Sequence, residues 1–219
     1  MTKAQNLWGN LLGNWLLLAL LAMLAGCAQA LTDPVVPVAS PAQPAPPVAD
    51  AKAAMIGPNR RLALPRPADL GRSVEAVQML SARYDGQTYV FEGRLSITPQ
   101  RLVLVGLDGM GRRAMTVTWT GHDIVIERAP WLPDTVRPGS MLADIVVLYW
   151  PEAVVRKALA PAGCTLQASA KSRTVRCGND EVLRAKYDWA AGGKWAGTVT
   201  YSNLAWGYEI EIESQEVAH

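Results

Sequence analysis

Between residues 88 and 213 apolar and polar side chains alternate in segment after segment, and few folds accept that pattern. Residues two apart share a face of an extended chain, so strict alternation makes a strand with one buried and one wet face. Tyr89, Phe91, Leu95 and Ile97 share one face, opposite Glu92, Arg94 and Ser96. Met115, Val117 and Trp119 oppose Ala114, Thr116, Thr118 and Thr120. Near the C-terminus Tyr208, Ile210 and Ile212 alternate with Glu209, Glu211 and Glu213. Arg101–Leu107 is apolar almost throughout, which predicts a strand covered on both faces. Asp108-Gly109-Met110-Gly111, Thr120-Gly121-His122-Asp123, Gly178-Asn179-Asp180 and Gly192-Gly193 supply the turns. Ser73–Tyr84 fits strand or helix by pattern, and the Asp85-Gly86 that follows favours a strand entering a hairpin.

The alternation breaks in the middle of the chain. Pro130, Pro133 and Pro138 mark an irregular loop, and Ser140 stands as an N-cap before an apolar helix over Met141–Tyr149. Pro151 opens a second helix that runs through Ala160 until Pro161 and Gly163 stop it. Strands then resume over 164–170, 172–177, 181–189, 194–202 and 206–213. Ten or so antiparallel strands seldom stay open and flat. The expected fold class is therefore α+β, a curled antiparallel half-barrel with a two-helix insertion.

The first residues read as an address. After Lys3, the run Trp15–Ala25 contains no polar residue, yet it is shorter than the roughly 20 residues a spanning helix needs. Its length suits the apolar core of a secretory signal, roughly 7–15 residues. It ends in Leu24-Ala25-Gly26-Cys27, which resembles the bacterial lipoprotein box, where cleavage precedes a lipidated cysteine. The competing reading is an uncleaved anchor with a chance cysteine. The resemblance implies a signal peptide over 1–26, palmitate-type acylation of Cys27, and, with Ala28 rather than Asp next, the outer membrane. Asp33–Asp50 then carries six prolines in eighteen residues, a composition for an extended tether rather than a core. The expected organisation is signal 1–26, lipidated cysteine and tether 27–58, and half-barrel domain 59–219. At about 3.1 Å per residue the tether reaches up to ~90 Å. Arg60, Arg61 and Arg66 close it, as a solvated entry strand or, alternatively, as a contact to anionic headgroups.

Composition excludes several classes. Twenty-one Lys and Arg against 19 Asp and Glu leave a net charge of +2, so no basic surface for nucleic acid is expected. Two histidines, His122 and His219, leave little material for acid–base catalysis or a metal site. Of three cysteines, Cys164 and Cys177 remain once Cys27 is assigned. Folding the intervening residues about Ala170-Lys171 sets the two opposite each other, and an exported chain retains disulfides. Two buried free thiols are the alternative.

Phe91-Glu-Gly-Arg-Leu95, Arg101-Leu-Val-Leu-Val-Gly-Leu-Asp-Gly-Met-Gly-Arg-Arg113 and Met141-Leu-Ala-Asp-Ile-Val-Val-Leu-Tyr-Trp-Pro151 resemble an uncharacterised family of bacterial lipoproteins. That family is catalogued as a domain of unknown function and is often linked to aryl-polyene biosynthesis clusters. The likeness covers about Arg72–Glu213, and the family resembles in turn the LolA and LolB lipoprotein carriers. It implies a half-barrel that holds acyl chains in its concave side under helices. The counterpart of the receptor's exposed hydrophobic loop is sought at Trp131-Leu132.

No reaction emerges. Gly109-Met-Gly-Arg-Arg-Ala114 matches a dinucleotide fingerprint in letters, but a strand rather than a helix follows it. His122-Asp123 has no nucleophile specified nearby. Asp144, in an otherwise apolar helix, is expected to serve the helix dipole rather than a cavity. The tryptophans at 119, 131, 150, 189, 195 and 206 suit a ligand cavity and a packed core equally. The chain is read as a non-enzyme without cofactor or metal, a monomer held to the membrane by its lipid and facing the periplasm. It would bind or hand over a lipid, a polyene lipid or an acylated protein, with Met115, Val117, Trp119, Trp150, Tyr187 and Tyr201 bordering an apolar cavity. The alternative is a structural or assembly lipoprotein that docks a protein partner and has no cavity. Cys27→Ser is expected to shift the protein from the outer-membrane to the soluble periplasmic fraction; retention in the membrane would place the anchor elsewhere.

Overall fold

The computed structural model describes residues 53–189 and 193–217. Cys27, the apolar run before it and His219 lie outside them. Twelve strands and two helices follow the opening pattern: β1 (Ala53–Gly57), β2 (Arg60–Ala63), β3 (Val74–Tyr84), β4 (Gln87–Ile97), β5 (Leu102–Asp108), β6 (Arg113–Trp119), β7 (Ile124–Arg128), α1 (Pro138–Tyr149), α2 (Glu152–Leu159), β8 (Cys164–Ser169), β9 (Ser172–Cys177), β10 (Asp180–Trp189), β11 (Gly197–Asn203) and β12 (Tyr208–Glu216). Among the described residues no helix is long and apolar enough to cross a membrane.

Ten strands form one antiparallel sheet in the order β7-β6-β5-β4-β3-β12-β11-β10-β9-β8. Each half is a meander, and the halves meet where β3 pairs with β12. Turn chemistry sets the registers. At Asp85-Gly86 both residues have positive φ, 49° and 71°, so a two-residue turn joins Tyr84 to Gln87 with the twist strands prefer. Within the large sheet, among the described residues, the segment from β7 to β8 is the one connection that is not a hairpin, and it must run from one sheet edge to the other. α1 and α2 make that crossing.

The sheet is open, and α1 shows that it curls. This helix contacts β7 at one edge, and its C-terminal carbonyls take a hydrogen bond from Arg173 on β9, next to the other edge. In a flat sheet those strands lie eight spacings apart, about 38 Å. A twelve-residue helix is only about 18 Å long. The strands must therefore wrap around the helix, as expected of a half-barrel. On its outer side α1 is covered by the separate hairpin β1-β2, whose Ile56 and Leu62 are fully buried.

In the β1-β2 hairpin Ala54, Ile56 and Leu62 alternate inward and complete the cover of α1. Three expectations need correction. Ser140 is not the N-cap of α1: the helix starts at Pro138, whose fixed φ suits the first turn, and Ser140 is buried within it. Asp144, expected to serve the dipole near the start of a helix, lies mid-helix and is buried. On β5, Leu102, Leu104 and Gly106 are buried while Val103 and Val105 stay half-buried, so only one face is fully covered.

Cys164 and Cys177 form a direct pair on β8 and β9, with Cα atoms 4.1 Å apart and sulfurs at bonding distance. The expected hairpin register about Ala170-Lys171 is the observed one. Closing a loop of this length restricts the unfolded chain, so replacing both cysteines with alanine is expected to cost about 3 kcal/mol. Urea unfolding with and without reductant checks this; identical midpoints would contradict a closed bridge.

Candidate functional site

The site is built around α1. Ten of its twelve residues are buried, including every one from Leu142 to Tyr149. Apolar side chains fill most of that surface, so the few polar groups stand out.

Asp144 sits at mid-helix, 7% exposed. Tyr201 of β11 and Tyr208 of β12 each donate a hydroxyl to one of its carboxyl oxygens, both at 2.5 Å. Asn203 supports the cluster by donating its amide to the Tyr208 hydroxyl at 3.2 Å and to the Ile56 carbonyl of β1 at 3.3 Å. Burial pushes the Asp144 carboxyl up to about 6, against the pull of the hydroxyls and Asn203 that favour its anion. Burial and the neighbouring carboxylate also raise both tyrosines well above their ordinary range.

A second contact lies one and a half turns on. The Tyr149 hydroxyl accepts from Gln78 of β3 at 2.8 Å and meets Ser214 of β12 at 3.3 Å. Its ring stacks on Trp195 with centroids 4.0 Å apart. The third contact satisfies the helix end. Arg173 of β9, 3% exposed, donates to the carbonyls of Val147 and Leu148 at 2.6 and 3.2 Å. Tyr187 of β10 donates to the Leu148 carbonyl at 3.0 Å. The last carbonyls of a helix lack partners within it and carry partial negative charge, so a buried guanidinium is well placed there. Burial holds that guanidinium below its ordinary pKa.

The six residues expected to border a cavity all belong to this core, each at most 7% exposed. Trp119 and Trp150 are tilted neighbours at 6.4 Å, while Tyr201 and Tyr187 bind Asp144 and the Leu148 carbonyl. With Met115 and Val117 they belong to the core that packs around α1. Two surface cavities, of about 700 and 530 Å³, are lined by none of the six.

Other singled-out residues are placed as follows. Gly109 and Gly111 form a turn in which Asp108 accepts from the backbone of Met110 and Arg112, and β6 follows directly. His122 and Asp123 are exposed in the turn before β7. Of Trp131-Leu132, Trp131 is 43% exposed with the Arg112 guanidinium 4.8 Å from its ring, and Leu132 is buried. Met110, in the turn that supplies Arg112, is 73% exposed. Among the described residues no group of acidic, cysteine or histidine side chains could hold a metal.

Sequence reasoning missed Gln78, Asn203, Tyr208 and Arg173 as partners of the helix. The signal was present. Gln78 shares its phase with buried Val74 and Ala76, and Arg173 with buried Val175 and Cys177. A polar residue on the inward phase of a strand has to meet a buried partner.

The chain belongs to a family described as proteins of unknown function, DUF3261, whose model matches residues 75–216. That span takes in both helices and all ten strands of the large sheet apart from a residue at its start. No curated protein matches the chain.

The raised Asp144 carboxyl gives stability a pH dependence of known sign. The group binds its proton more tightly folded, near 6, than unfolded, near 3.8. Its contribution is therefore fully present below pH 3.8 and is lost as pH rises through 6, by about 3 kcal/mol in total. Asp144→Asn, which keeps an acceptor for the hydroxyls without the charge, is expected to abolish that loss. Urea midpoints from pH 4 to pH 7 measure it; equal slopes in the two proteins would contradict the assignment.

Proposed function

We propose that this protein is a lipid-anchored, periplasm-facing lipoprotein of the outer membrane that binds a lipid, a polyene lipid or an acylated protein and hands it over, without catalysing a reaction. The observation that carries the reading is the occupant of the half-barrel's hollow. A helix buried on every face lies where a carrier of acyl chains would hold its cargo. Such a helix is an apolar stand-in for that cargo, and three separable polar contacts hold it in register. In this reading the arrangement is that of the LolA and LolB carriers, and Cys27 and the Pro-rich stretch after it supply anchor and reach.

Transfer needs contact with the bilayer. Exposed Met110 and Trp131, with Arg112 between them in sequence and over the Trp131 ring, present apolar tips beside a cation. Apolar and aromatic groups flanked by basic residues suit the headgroup boundary of an anionic membrane.

One observation favours the second reading, a structural lipoprotein that docks a protein. Met115, Val117, Trp119, Trp150, Tyr187 and Tyr201 lie in a closely packed core. The two readings part on whether α1 yields. Purified protein, extracted with organic solvent and analysed by mass spectrometry, is expected to release an acylated molecule in near-molar proportion. Tyr208→Phe, which removes one hydroxyl from Asp144, is expected to speed uptake of a fluorescent acyl probe severalfold. Lipid-free protein whose probe uptake does not respond to the substitution would leave the docking reading.

A further inference from the structure

A second site lies outside the hollow. α2 and the extended stretch after β2 face each other across a groove of about 700 Å³, within the roughly 300–1,000 Å³ typical of small-molecule sites. Ala153, Val154, Lys157 and Ala158 recur at the spacing of one helical face and form one wall. Ala63, Leu64 and Pro65 form the other. This floor is aliphatic, and Pro65 and Pro161 in its lining have no backbone N–H to offer a peptide. An acyl chain asks for no hydrogen bonds.

Charge selects the head. Arg66, Asp69 and Lys157 are the charged residues of the lining, two cations against one anion. Arg66 is committed to Asp69 through a side-chain contact at 2.9 Å and a backbone N–H contact at 2.9 Å. Lys157 forms no ion pair among the described residues, and its field also falls on the Asp69 carboxyl. The groove therefore offers an apolar trough with one surplus positive charge at its edge.

We propose that this groove binds a single acyl chain bearing an anionic headgroup, with the tail against Leu64, Pro65, Ala153 and Val154 and the head at Lys157. The groove wall is fixed by pairing, since Ala63 is held opposite Ala53 in the β1-β2 hairpin. The site is complete with α1 in place and does not depend on movement of that helix.

The test is photocrosslinking on the full chain in nanodiscs, with a diazirine-bearing dodecyl phosphate as probe and peptide mapping as readout. Label is expected on the peptides that hold residues 63–66 and 153–161, and unlabelled dodecyl phosphate should compete for it. Ala153→Trp, at an exposed position, fills the trough and should abolish that label. Lys157→Glu, also exposed, should reduce it about tenfold. An uncharged dodecanol analogue should label these peptides far less. Label that ignores both substitutions, or equal labelling by the uncharged analogue, would overturn the proposal. Label confined to the core strands β6, β10 and β11 would also overturn it while leaving the lipid-holding reading of the hollow intact.

Discussion

A helix without a wet face governs this fold. α1 carries apolar side chains around its whole circumference, and such a segment is stable only when surrounded. One sheet face covers about half of a helix, so the strands must bend around α1 and something else must close the open side. The β1-β2 hairpin does so, with Ile56 and Leu62 fully buried. The topology fits the same demand. The one long connection, from edge strand β7 to edge strand β8, passes through the hollow and brings the helix with it.

Apolar burial and polar contacts divide the work on α1. Burying Leu142, Ile145, Val146, Val147 and Leu148 contributes on the order of 1.5–3 kcal/mol for each large side chain, which outweighs what hydrogen bonds of about 0.5–1.5 kcal/mol add. Dispersion and hydrophobic burial do not fix a rotation or a register, whereas directional contacts do. Asp144 with Tyr201 and Tyr208 sets the rotation, Tyr149 with Gln78 and Ser214 holds one strand pair, and Arg173 with Tyr187 fixes the helix end. In the proposed carrier role an apolar cargo takes over the burial that α1 supplies, and the three polar contacts are the ones that must break.

Most of the sheet was legible because alternation and turn residues are local. Asp85-Gly86 located a hairpin, and the midpoint between Cys164 and Cys177 located another. The β1-β2 hairpin was not legible. Its strands have five and four residues, too short for a pattern, and they abut a Pro-rich stretch that reads as tether. The start of α1 was misplaced because Ser140 looks like a cap in isolation, while burial of that turn is a tertiary fact. The site was half legible. Trp119, Trp150, Tyr187 and Tyr201 were found on the inward phase, but whether an inward ring faces space or a helix depends on where the long connection runs. In the sequence Asp144 reads as a dipole partner, and only the crossing of α1 past β11 and β12 shows the hydroxyls that meet it.

In the proposed carrier role α1 is the element that gives way to an acylated cargo. Hydrogen–deuterium exchange over Pro138–Tyr149, with the core strands as internal reference, tests it directly. Without ligand the α1 amides should be protected as strongly as those of β10 and β11. With saturating acyl ligand α1 should lose protection while the strands keep theirs. Protection of α1 that stays unchanged or rises under saturating ligand would contradict the account.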